Sequence, residues 1–288
     1  MISILVSPLP GSGRQDVLNA LEGIQRGANV AKNGTGGIPL PDRYITWVHN
    51  SEGQLRNLVS SSDVDRLVLT KRCWTILSMP TTTFTGTIIN AELNERIEDL
   101  KAAHEALEAQ IERWSRPGAF VVPDTSFYIE HPDKVRDADF RHILNLRHDP
   151  VHVLVPIAVP DELDGLKQSG REHARWRARH TLGVMDEVLR DGLSPALLQD
   201  PALLPLSGGV SIPIGDVTIE VVLDPPGHRR LPISDDEIID RTLAIQSLAD
   251  RAVTLVTYDT AQSTRARGAG LRAAKLSVPL DPEPQAKS

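Results

Sequence analysis

One cysteine in 288 residues, Cys73, excludes an internal disulfide and any zinc site built from a cysteine cluster. No run approaches the ~18 apolar residues that a membrane span needs. The opening MISILVSPLPGSG is apolar but has no basic residue ahead of it, so it does not read as a secretion signal. A cytoplasmic location is the expectation. Positive charge is also scarce: the formal net charge is -7, which argues against a protein that coats nucleic acid generally. It leaves room for an enzyme that meets phosphates locally. A phosphate loop is lacking too. PLPGSGRQDV follows an apolar run, but Arg14 and Gln15 stand where a Walker loop has its lysine and hydroxyl.

What is present is an ordinary globular composition, 40% hydrophobic and 24% charged, long enough for two modest domains. Residues 1–116 and 117–280 differ in pattern, and 281–288, DPEPQAKS, reads as a polar tail. In the first part the apolar run Ile2 to Val6 precedes an expected helix, RQDVLNALEGIQRG. Residues 27–45 are rich in Gly, Pro and Asn and read as loop. SEGQLRNLVSS reads as a short helix, DRLVLT as a strand, and the Thr- and Ile-dense segment 70–89 as a place for further strands. Within 90–115, Leu93, Ile97, Leu100, His104, Leu107, Ile111 and Trp114 recur at steps of four and three, an apolar helix stripe interrupted by His104. Such a stripe either dimerises, giving a homodimer, or packs on its own domain, the commoner outcome.

After Pro117-Gly118 the pattern changes to apolar strands separated by helical stretches. AFVVP, VHVLVPIAVP, DVTIEVVLD, AVTLVTYD and KLSVPL are the strands. DELDGLK, REHARWRARHTLGVMDEVLRDG and SDDEIIDRTLAIQSLADR are the helices. Near-continuous apolar strands joined by helices indicate a parallel sheet covered on both faces, an α/β fold. Ligands of such sheets bind beyond the carboxyl ends of the strands. Asp124 directly follows AFVVP, Glu162 follows VHVLVPIAVP, Asp259 closes AVTLVTYD, and Asp236 lies near the start of a helix. One acid at such a position is usually a cap or a solvated residue. Four at matching positions point to a cation, because carboxylates packed together repel. Oxygen-only ligands suit Mg²⁺ or Mn²⁺, ions that activate water and stabilise phosphoryl charge.

Four pieces of sequence resemble the PIN domain family, in particular its larger bacterial members. They are VVPDTSFY, VPDELDGLKQSG, SDDEIIDRTLAIQ and LVTYDTAQSTRARGAGL. The resemblance implies a three-layer α/β/α sandwich around a mainly parallel sheet, with a partly helical N-terminal region outside it. It implies a metal-dependent endoribonuclease whose metal and catalytic set is Asp124, Glu162, Asp236 and Asp259, supported by Thr125 and Thr257. Asp235 competes with Asp236 if the register is off by one, or caps the helix. Asp240, where the family has a small residue, joins the metal shell or pairs with Arg241 or Arg265. Asp161 reads as surface or cap, and Asp164 with Lys167 as a local pair.

Lys167, Arg171, Arg175 and Arg179 approximate one helix face at spacing of four, with Trp176 among them. Either this face is simply solvated, or it contacts RNA phosphates beside the metal site together with Arg265, with single-stranded RNA as the partner. Two other functions share these features: a catalytically silent RNA-binding or protein-interaction module, and another metal-dependent phosphoesterase.

Overall fold

The computed structural model describes residues 6–34, 36–79, 83–190, 195–205, 211–225 and 228–277. Ile2 to Leu5, the end of the expected last strand and the tail 281–288 lie outside the described residues. Two compact units are present, 1–116 with 244–251, and 117–243 with 252–288.

The first unit is helical, with an isolated bridge between Pro8 and Val59. Its helices are α1 (Arg14–Asn33), α2 (Leu40–Leu55), α3 (Ser61–Leu67), α4 (Lys71–Ser78) and α5 (Thr83–Arg113). Three expectations fail here. The supposed loop 27–45 is largely helix, because Ala28 and Ala31 continue the buried stripe of Val17, Leu21 and Ile24. The supposed strand DRLVLT is the end of α3, where Val64, Leu67 and Val68 are buried at helical spacing. Ser60 starts that helix by accepting the Asp63 N–H at 3.1 Å. The described residues of the Thr- and Ile-rich stretch are also mostly helix, in α4 and the start of α5. Thr70 caps α4 by accepting the Cys73 N–H at 3.0 Å, and Cys73 and Ile76 face inward. The stripe along α5 is spent inside its own unit: Leu93, Leu100 and Leu107 are buried in a core shared with α1 and α2. Each such leucine contributes roughly 2 kcal/mol. His104 sits half-exposed at the seam, 3.4 Å from Glu108.

The second unit contains β1 (Ala119–Pro123), α6 (Thr125–Glu130), α7 (Phe140–Leu144), β2 (Val151–Pro156), α8 (Ala158–Leu166), α9 (Glu172–Val188) and β3 (Ala196–Gln199). Then come β4 (Ala202–Pro205), β5 (Ser211–Ile214), β6 (Val217–Val222), α10 (Ser234–Ala249, whose residues 244–249 belong to the first unit), β7 (Val253–Thr257), α11 (Thr260–Gly268) and β8 (Arg272–Lys275). A six-stranded sheet runs β3-β6-β2-β1-β7-β8, parallel except for β3 against β6, and β4 and β5 form a separate antiparallel pair. Helices flank this sheet as an α/β/α sandwich. β1, β2 and β7 read clearly in sequence because both faces are covered. The strand read as VHVLVPIAVP stops at Pro156, and α8 begins at Ala158, so Glu162 lies inside a helix rather than just past a strand. The last strand lies earlier than KLSVPL, at Arg272–Lys275. Among the described residues no helix is long and apolar enough to cross a membrane.

At the amino ends of the strands, three chain segments meet around Pro150. Ala119 N–H donates to Pro150 O at 2.9 Å, Val151 N–H to Asp216 O at 3.0 Å, and Gly215 N–H to His148 O at 2.8 Å. Gly118 has φ +116°, and a Cβ there would lie 2.6 Å from Pro150 O; at Gly215 it would lie 2.5 Å from Pro150 N. Neither position has room for a side chain. Helix α9 is tied down by Arg177, buried at 5% exposure. Its guanidinium donates to Tyr128 O at 3.0 Å and to His131 O and Asp133 O, both at 2.8 Å. Arg177→Met strands these carbonyls and is expected to lower stability by about 3 kcal/mol, readable as a lower urea midpoint at unchanged slope.

Candidate active site

The strand connections diverge at the sheet's centre. From β1 the chain moves to β2 on one side, and from β7 to β8 on the other. The crevice of an open α/β sheet forms at such a switch point, outside the carboxyl ends of its strands. Asp124 follows β1 and Asp259 follows β7, so these two acids flank it.

Asp124 is 4% exposed and caps α6. Its Oδ1 accepts the Phe127 N–H at 3.0 Å and the Ser126 hydroxyl at 2.6 Å, and its Oδ2 accepts the Thr257 hydroxyl at 2.5 Å. The two hydroxyls lace the adjacent strand ends together. Thr257 Oγ1 accepts the Asp259 N–H, and Ser126 Oγ the Tyr258 N–H, both at 2.8 Å. Burial pushes the Asp124 carboxyl up from 3.8 to about 6; the hydrogen bonds from Ser126, Thr257 and Phe127 pull it down, and the charge of Asp235 adds to the rise.

Asp259 caps α11, its Oδ1 accepting the N–H groups of Ala261 at 2.6 Å and Gln262 at 3.1 Å. Glu162, in the second turn of α8, accepts the Thr125 hydroxyl through Oε2. Asp235 and Asp236 both lie in the first turn of α10. Arg265 Nη1 is 3.3 Å from Asp235 and 3.5 Å from Asp236. Burial raises the Asp235 carboxyl; Arg265 pulls it back, and Asp259, Glu162 and Asp236 push it further up. In Glu162, Asp235 and Asp259 alike, one carboxylate oxygen is held and the other has no hydrogen-bond partner among the described residues.

The remaining expected residues lie as follows. Asp240 pairs with Arg241 at 2.5 Å, Asp161 with Arg230 at 2.5 Å, and Asp164 with Lys167 at 2.6 Å. Lys167, Arg171, Arg175 and Arg179 do not share one helix. Lys167 ends α8 and Arg171 precedes α9, so only Arg175 and Arg179 lie on α9 itself. Arg175 donates to Ser169 O at 2.8 Å, whereas Arg179 is exposed.

One arrangement escaped the sequence. Asp224, His228 and Glu237 bring their donor atoms within 4.8 Å of one another and could hold a metal ion. Among the described residues this is the group of three that closes so tightly; no three of the four expected acids do. Here His228 Nε2 is 2.7 Å from Glu237, Leu231 N–H donates to Glu237 at 2.8 Å, and Arg230 binds Asp224 at 2.6 Å. The network pins the loop that leads into α10. Asp224 and His228 lie in a Pro- and Gly-containing loop, where a four-residue spacing carries no helical meaning, so no sequence signal marked them.

No curated protein matches this chain. The family model of the PIN domain matches residues 121–277, over half of the 288 residues and spanning every acid described above. The chain belongs to the PIN domain family.

Proposed function

We propose that the chain is a metal-dependent endoribonuclease acting on single-stranded RNA in the cytoplasm, with residues 117–280 carrying the activity and 1–116 a separate module. Asp124, Glu162, Asp235 and Asp259 would hold one or two Mg²⁺ or Mn²⁺ ions, with Asp236 beside them. The observation that carries this reading is geometric: Asp124 and Asp259 cap the helices that follow β1 and β7 and are joined through the Thr257 hydroxyl, and Glu162, Asp235 and Asp259 each keep one oxygen without a hydrogen-bond partner among the described residues. An all-oxygen donor set of this kind fits a hard divalent ion. Such an ion, when bound, supplies an activated water and charge stabilisation at phosphorus.

The chain's own groups do the positioning. Thr257 and Ser126 fix both oxygens of Asp124, Thr125 fixes Glu162, and the first turn of α11 fixes Asp259. Holding ligands this way lowers the cost of ordering them. Arg265, already beside Asp235 and Asp236, is placed to meet a phosphate oxygen.

The purified protein is expected to cleave single-stranded RNA with Mn²⁺ and not with EDTA, and Asp124→Asn is expected to abolish cleavage. Undiminished cleavage by that variant sinks the assignment. The Asp224 trio is tested in the same experiment. Mn²⁺ binding that survives Asp124→Asn but is lost in His228→Ala would place the ion there instead.

A further inference from the structure

Trp176 is 50% exposed on α9, although an amphipathic helix against a sheet ordinarily buries its tryptophan. Its ring stacks on His180, with centroids 5.2 Å apart and planes 1° from parallel. The Lys134 ammonium lies 5.7 Å from the same ring. Arg171 and Arg179 are exposed elsewhere on the same helix and its cap, with no acidic partner among the described residues. A half-exposed, flat aromatic pair with the Lys134 ammonium beside it complements a nucleobase and its phosphate. It does not suit an apolar protein surface, which would desolvate that charge at a cost.

Helix α9 is tied to the segment that follows Asp124. Arg177, the next residue, is bonded to carbonyls of 128, 131 and 133. That segment is the continuation of α6, whose six residues span roughly 9 Å from the Asp124 cap. From the other side, Tyr258, beside Asp259, reaches His131 Nδ1 at 2.9 Å. Asp124 and Trp176 are thereby joined through the segment 125–134.

We infer that Trp176 and His180, with Lys134, form a stacking platform for an unpaired base flanking the scissile phosphate. This rests on the ribonuclease reading and makes the site selective for single strands, since a base held in a duplex offers no free face. Stacking of this kind is sequence-tolerant.

The test is binding of a fluorescein-labelled single-stranded oligoribonucleotide and of its duplex, measured in EDTA so that no cleavage intervenes. Trp176→Ala is expected to weaken single-strand binding by about 5- to 100-fold, with duplex binding almost unchanged. Trp176→Phe is expected to restore most of the loss, and His180→Ala to show part of it. Unchanged single-strand affinity in Trp176→Ala, equal loss on both substrates, or loss of self-association in place of RNA binding would overturn the proposal. Trp176-dependent binding in a protein that never cleaves RNA would leave the platform standing and remove the nuclease reading. Cleavage that ignores Trp176, with single-strand binding equally unmoved, would do the reverse.

Discussion

Asp235→Asn is expected to reduce Mn²⁺-dependent RNA cleavage by at least about 100-fold, the scale of removing one group that stabilises developing charge. Asp236→Asn is expected to stay within about 5-fold of the parent, the scale of an exposed ion pair. The two carboxylates are sequence neighbours, similarly exposed, and both near Arg265. What separates them is their view of the other acids. Asp235 is acted on by Asp259 and Glu162, and it acts on Asp124. Its backbone carbonyl also accepts the Gln262 amide at 3.3 Å, which ties the start of α10 to the helix capped by Asp259. Initial rates for both variants across a Mn²⁺ titration decide the matter. Equal losses, or a larger loss at Asp236, would return the third ligand to Asp236.

The second large effect is on stability, and it has the opposite sign to the effect on activity. Asp124 moves from 3.8 in the unfolded chain to about 6 in the fold, chiefly through burial. Between these values the folded protein binds the proton more tightly than the unfolded one. Stability from this group is therefore fullest below pH 3.8 and is lost as pH rises through about 6. At about 1.4 kcal/mol per pH unit, the ionised carboxylate costs the metal-free fold about 3 kcal/mol at neutral pH. Asp124→Asn keeps the shape and removes the charge. In EDTA at pH 8 it is expected to raise unfolding stability by about 2 kcal/mol while eliminating cleavage. Mn²⁺ should stabilise the parent by mass action and leave the variant nearly unmoved. Denaturant melts of both proteins, with and without Mn²⁺, measure this directly. A variant no more stable than the parent, or an equal response to Mn²⁺, would contradict it.

The strand-end positions of Asp124 and Asp259 were legible in sequence for a physical reason. β1 and β7 are largely buried on both faces, so they stand out as apolar or β-branched runs, and the first acid after each is a helix cap at the sheet's carboxyl edge. Glu162 was legible as a residue but misplaced, because Val155, Pro156 and Ala158 to Pro160 carry one apolar run across a strand-to-helix change. The competition between Asp235 and Asp236 could not be resolved from spacing, since both fall in one helical turn. In the first unit, β-branched residues misled. Val64, Val68, Ile76 and Ile89 have strand propensity, yet Ser60 and Thr70 supply helix caps and the residues bury at helical spacing. Propensity yields there to capping and to the shared core of α1, α2 and α5.

The crowding around Pro150 leaves the amino edge of the second unit's sheet intolerant of added side chains. β1 is about 16 Å long, so Gly118 is a full strand away from Asp124 and touches none of the chemistry. A methyl group at Gly118 or Gly215 has nowhere to go except into Pro150, and relief comes by sliding β1 or β6 past β2. Such a slide carries Asp124, or the loop that leads to Asp235, out of alignment at the opposite edge. The sheet works as a lever with its fulcrum at Pro150, and small substitutions beside the fulcrum are amplified into misplacement at its working tip.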